Sequence, residues 1–140
     1  MTSETTEPLG KWVEQLFKTA FFQSDDQMAN QAMDQGFSEN LKVRINGSLM
    51  DRATYQQAAV RVRGSCQGVL ENMEELLVTS AEHQPAGGGS VAHLLRFMMK
   101  DWKTGEEKKE TAVIISTVDV SEGKRLVTEV TEVNRTWDSA

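Results

Sequence analysis

From Gly68 onward the apolar residues recur at every second position. Turn-forming clusters cut that alternation into four long segments: Val69 to His83, Val91 to Trp102, Thr111 to Val120 and Arg125 to Arg135. A period of two belongs to strands, whose side chains point alternately to opposite faces. The connections "QPAGGGS", "KTGEEKK" and "SEGK" are short enough only for hairpins, so this half of the chain is expected to be a four-stranded antiparallel meander. The glycines Gly87 to Gly89 do not make a phosphate loop, because no helix follows them and no Gly-Lys-Ser/Thr is present. They read as a hairpin tip.

Upstream the period is helical. Leu9, Trp12, Val13, Leu16, Phe17, Ala20 and Phe21 form one apolar stripe, with Thr6 and Pro8 as start signals. Ser24 with Gln27 has the spacing of a capping box, and Met28, Ala29, Ala32 and Met33 give the stripe of a second helix that Gly36 ends. Leu41, Val43 and Ile45 alternate into Asn46-Gly47, a strong hairpin signal. Asp51 then caps a third helix carrying Tyr55, Ala58, Ala59 and Val62. The expected architecture is α+β: a cone-shaped barrel of three N-terminal helices packed on a curved, mostly antiparallel sheet. It forms a single domain over residues 8–136 between tails at 1–7 and 137–140.

Composition narrows the function. The 140 residues suffice to bury roughly two thirds of the unfolded surface without staples. Lys and Arg number 15 against 21 Asp and Glu, and this net charge of −6 argues against a nucleic-acid partner, which would demand an electropositive surface. No apolar run approaches the roughly 20 residues that span a bilayer, so no membrane association is expected. The opening "MTSETTE" has neither a basic nor an apolar region of a secretion signal, which makes the expected location cytoplasmic. Cys66 stands alone and there are two histidines, so neither a disulfide nor a zinc site is expected, and no cofactor or metal is assigned. The seven methionines read as fillers of irregular core space, and Glu71, Glu74 and Glu75 as a solvated strand edge.

Registers follow if Trp102 pairs with Glu110 and Val120 with Arg125. His93 then lies opposite Asp119, while Arg96 lies opposite Ser116, which faces Glu129. His93, Leu95, Phe97, Ile115 and Val130 fall on one face, and Arg96, Met98, Ile114, Ser116 and Glu129 on the other. Both faces are largely apolar, and three helices can cover only one of them. A two-fold homodimer through Leu95, Phe97, Ile115 and Val130 is the expected cover for the second. The His93/Asp119 pair reads as part of that dimer-facing surface.

The helix "PLGKWVEQLFKTAFF", the passage "FSENLKVRINGSLMDRATY" and the closing "VIISTVDVSEGKRLVTEVTEV", with its turn at Glu122-Gly123-Lys124, resemble the nuclear transport factor 2-like superfamily. Within it the resemblance is to the SnoaL-like polyketide-cyclase branch. It implies acid/base groups on the last two strands that project into the cone, which in the register above are Ser116 and Glu129. Ser116 stands where a carboxylate or imidazole belongs, and the first helix offers Phe17 and Trp12 in place of a tyrosine. With Arg96 on the neighbouring strand, the candidate catalytic set is Glu129, Arg96 and Ser116, beneath substrate-binding Trp12, Leu16, Tyr55, Met98 and Ile114. The function so implied is a cyclase, isomerase or lyase that needs no cofactor. It would act by proton transfer on a small apolar, polyketide-like carbonyl compound in the cone pocket. The alternative is a non-catalytic dimeric module that binds a hydrophobic ligand or a protein partner.

Overall fold

The computed structural model describes residues 7–80 and 87–137. The tail at 1–6, the expected end of the first meander segment beyond Ser80, the first three residues of its connection and residues 138–140 lie outside the described residues.

Three helices, α1 (Leu9–Phe21), α2 (Asp26–Gly36) and α3 (Arg52–Ser65), accompany six strands. These are β1 (Phe37–Ile45), β2 (Ser48–Asp51), β3 (Cys66–Ser80), β4 (Gly89–Asp101), β5 (Glu107–Ser121) and β6 (Lys124–Trp137). The strands form one sheet in the order β2-β1-β6-β5-β4-β3, antiparallel throughout except where β1 runs parallel to β6. The helices pack on one face of this curved, unclosed sheet, so the architecture is the α+β cone that the change of period implies.

Local chemistry explains the boundaries. α1 starts behind Pro8, whose fixed φ suits a helix entrance, and it buries Leu9, Val13, Phe17 and Ala20 along one stripe. α2 is capped by Asp25, one residue later than the Ser24 expectation. Its carboxylate accepts from the backbone N–H groups of Gln27 and Met28 at 2.9 and 3.1 Å, two donors that a helix start otherwise leaves open. Asp51 caps α3 as expected, accepting from the Thr54 N–H at 2.9 Å. Asn46 and Gly47 have φ of 49° and 88°, and Glu122 and Gly123 of 54° and 76°. Both pairs take the left-handed conformations that a two-residue hairpin turn requires, and both favour Asn or Gly there.

The core lies between α1, the face of α2 that carries Ala29 and Met33, and the concave face of β1, β6, β5 and β4. Phe17 meets Phe37 edge-on at 5.7 Å and Phe21 at 5.4 Å, and Phe21 meets Tyr55 at 5.3 Å. Around them Val13, Met33, Val43, Val91, Leu95, Val118, Val127 and Val130 are almost fully buried.

The registers differ from the sequence arithmetic at two places. Between β4 and β5, Lys100 pairs with Glu107 in place of Trp102 with Glu110. The turn starts early because the Asp101 carboxylate accepts from the N–H groups of Lys103 and Thr104 at 2.8 and 2.9 Å and folds the chain back. Trp102 is drawn off the strand to α3, donating its backbone N–H to Ser65 and its indole N–H to the Arg63 carbonyl. This shift has odd parity and exchanges the faces of β5 relative to β4. Between β5 and β6, Val120 does pair with Arg125, but a bulge between Thr117 and Val118 shifts the ladder by one residue beyond it.

Candidate active site

The concave face is therefore built from Val91, His93, Leu95 and Phe97 of β4, then Ala112, Ile114 and Ser116 of β5, and Val130, Glu132 and Asn134 of β6. The set Arg96, Ser116 and Glu129 is not brought together. Arg96 pairs with Thr111 and Glu129 with Thr117, both exposed on the convex face. Ser116 lies between Val91 and Val130, fully buried, its Oγ without a hydrogen-bond partner among the described residues. His93 pairs with Ile114, not Asp119, and is 1% exposed inside the cone. Leu95 and Val130 are core residues, and Phe97 packs against Phe22 with rings 5.3 Å apart. Of the four residues expected at a dimer surface, only Ile115 is on the convex face, 47% exposed.

A cavity of about 700 Å³ lies between α1, α3 and the concave face. That is a usual size for a small-molecule site. Phe17, Phe21, Leu95, Phe97, Ala112 and Ile114 give it apolar walls, and Trp102 and Met99 stand on it too. Of the expected substrate contacts, Tyr55 and Ile114 line it, and Trp12, Leu16 and Met98 are not among its lining residues. Trp12 sits beneath the Arg125 guanidinium at 5.8 Å, Leu16 packs against the backbone of Gly36, and Met98 faces outward between Val69 and Lys109.

Two acidic side chains reach the cavity. Asp26 is neutralised at its edge by Arg63, whose Nε donates to it at 2.6 Å while Nη1 donates to the Ala20 carbonyl. Glu132 is held differently: its Oε2 accepts from the Asn134 side-chain amide at 2.7 Å. Asn134 is fixed in turn by Asn46, through Asn46 Nδ2 to Asn134 Oδ1 and the Asn134 N–H to Asn46 Oδ1, both at 2.9 Å. The Asn46 N–H donates to the Glu132 carbonyl at 2.9 Å. The turn residue that sets the β1–β2 hairpin thus also orients the carboxylate.

Burial raises the pKa of Glu132, against a smaller lowering by the Asn134 hydrogen bond. Glu110, on the same face near the rim, is raised by burial and then by the charge of Glu132. Burial, reinforced by Glu132, holds the Tyr55 phenol well above its ordinary range, so its proton stays on oxygen. A carboxyl raised toward neutrality beside a neutral phenol can exchange a proton with a bound molecule while the phenol donates to developing negative charge.

Sequence reasoning chose Glu129 where the geometry presents Glu132. They occupy identical Thr-Glu-Val triplets, 128–130 and 131–133, three positions apart and so on opposite faces. The available signal was Asn134, an amide two residues beyond Glu132 and on its face.

A second polar group lies further along the same face. Ligand atoms of Glu14 on α1, Glu75 on β3 and His93 on β4 are within 4.8 Å of one another. Burial lowers the His93 pKa, partly offset by Glu14 and Glu75.

The fold is that of the nuclear transport factor 2-like proteins. Among solved structures, the chain is similar to a conserved protein from Planctomyces limnophilus, with a TM-score of 0.75, 7% identity, and 91% of this chain and 98% of that one covered. It is similar to a ketosteroid isomerase-like protein from Erwinia carotovora atroseptica, with a TM-score of 0.72, 10% identity and coverage of 96% and 98%. A protein from Xanthomonas campestris assigned provisionally as a polyketide cyclase shares the fold at a TM-score of 0.60, 15% identity and coverage of 90% and 92%. No family model matches the sequence, and no curated protein matches it. No helix among the described residues is long and apolar enough to cross a membrane.

Proposed function

We propose that the protein is a proton-transfer enzyme, an isomerase, cyclase or lyase, acting on a small apolar carbonyl compound held in the cavity between α1, α3 and the sheet. The observation that carries this reading is Glu132: a desolvated carboxyl, oriented by Asn134 and Asn46, beside the neutral phenol of Tyr55 on an apolar wall. Glu132 removes a proton α to the carbonyl and returns it at another position. Tyr55 donates a hydrogen bond to the enolate oxygen, and the aromatic walls exclude water, which strengthens both interactions. Two of the similar structures carry isomerase-like and provisional cyclase descriptions, which agree with this reaction class.

The test is solvent deuterium exchange into a panel of two- and three-ring enolisable ketones, followed by proton NMR. Exchange catalysed by the wild type is expected to fall on the order of a hundredfold or more in Glu132→Gln, the usual worth of a positioned base. It should fall less in Tyr55→Phe, and Glu129→Gln should leave it unchanged. Exchange that survives Glu132→Gln would overturn the assignment.

The same reading includes a homodimer, now through the convex face. Val113, Ile115 and Val133 are 36%, 47% and 63% exposed and lie side by side on β5 and β6. A second copy related by a two-fold axis would remove that contiguous apolar surface from water.

A further inference from the structure

We propose that Glu14, Glu75 and His93 bind a divalent transition-metal cation of the zinc class, which clamps α1 to β3 and β4. None of the three lines the cavity, so the role is structural, and the site goes beyond the proton-transfer reading.

The imidazole hydrogen-bonds the Gly10 carbonyl, and its Nε2 is buried without a hydrogen-bond partner among the described residues. This backbone carbonyl is the kind of outer partner that orients metal-binding histidines. Nε2 faces two carboxylates: Glu14 Oε2 is 3.6 Å away, and an oxygen of Glu75 lies within the same 4.8 Å group.

Three atoms that can each ligate a cation thus converge, one on a ring only 1% exposed. A proton or a bound cation must lie among them. Zinc–ligand bonds of about 2.0–2.2 Å at tetrahedral angles place neighbouring ligand atoms roughly 3.4 Å apart, close to the 3.6 Å between Nε2 and Oε2. One imidazole and two carboxylates leave a fourth position for water, on the side where Glu75 is exposed and an ion can enter.

Gly10 supports the assignment from a different direction. A side chain at this buried helical position would run into the Glu75 carboxylate. The glycine leaves room for that carboxylate to turn inward.

The test uses the full chain, stripped with chelator and titrated with Zn²⁺ at pH 7 by calorimetry and by thermal melting. Expected are one ion per chain and a melting temperature that rises with zinc. Glu75→Gln, an exposed change, and Gly10→Ala, which keeps all three ligands but displaces Glu75, should each weaken binding at least tenfold. Crystals soaked in zinc should show an anomalous peak bounded by Glu14, Glu75 and His93, a readout that does not depend on any variant's folding. Absence of saturable binding, equal affinity in Glu75→Gln, or a peak elsewhere would overturn the proposal.

Discussion

Asn134→Ala releases the hold on Glu132, and its cost can be worked from two contacts. Asn134 Nδ2 donates to Glu132 Oε2 at 2.7 Å, and Oδ1 accepts from Asn46 Nδ2 at 2.9 Å. A hydrogen bond to an ionised group is worth roughly 1.5–3 kcal/mol and one between neutral groups roughly 0.5–1.5 kcal/mol. With Glu132 ionised at pH 8, the substitution should therefore cost about 2–4.5 kcal/mol. The pH dependence has a definite sign. The folded-state pKa of Glu132 is raised by burial, so its contribution to stability is complete below the unfolded value of roughly 4.3 and is lost as pH rises through the folded value. Removing the amide removes the one hydrogen bond that lowers that pKa, so the folded value rises further and the stability lost between the unfolded and folded values grows. At pH 4 the carboxyl is protonated, both bonds are between neutral groups, and the cost should drop to about 1–3 kcal/mol. Glu110 is raised in the same direction, so the comparison is made within a cycle. Urea denaturation of wild type, Asn134→Ala, Glu132→Gln and the double variant at pH 4 and pH 8 should show coupling at pH 8 only. Equal cost at both pH values, with coupling below about 0.5 kcal/mol, would refute the account of how Glu132 is held.

Two further outcomes follow from the packing. Phe17→Ala, at a 1% exposed position ringed by Phe21 and Phe37, should cost about 3–5 kcal/mol in denaturant unfolding. Ile115→Lys, on the convex face, should leave the monomer's stability nearly unchanged and shift sedimentation at micromolar concentration from dimer to monomer. A wild type that already sediments as a monomer would remove the dimer from the account.

The elements were legible because each has a local cause. The stripe from Leu9 to Phe21, the Asp51 cap, the Asn46-Gly47 turn and the alternation after Gly68 are all short-range signals, and the observed helices and strands follow them. Which face each strand shows the cavity was not legible, because it depends on two single-residue events. One is the carboxylate-closed turn at Asp101, which starts the hairpin early while α3 captures Trp102. The other is the bulge at Thr117. Each moves a register by an odd number of residues, and with a side-chain period of two this exchanges inside and outside. His93 and Leu95 therefore face inward, Arg96 and Glu129 face outward, and the site passes from Glu129 to its twin Glu132. The Glu14, Glu75 and His93 group was hidden for a different reason: its members lie on three elements far apart in sequence, and counting Cys and His overlooks carboxylate ligands.

Carbon-13 NMR of the side-chain carboxyl groups, with the Glu132 signal assigned through Glu132→Gln, tests the central claim most directly. Glu132 should titrate clearly above the ordinary carboxylate value of roughly 4.3, and its midpoint should rise further in Asn134→Ala. A midpoint at or below the ordinary value would contradict the claim, because a carboxylate so placed would be solvated and unable to serve as the cavity's proton carrier.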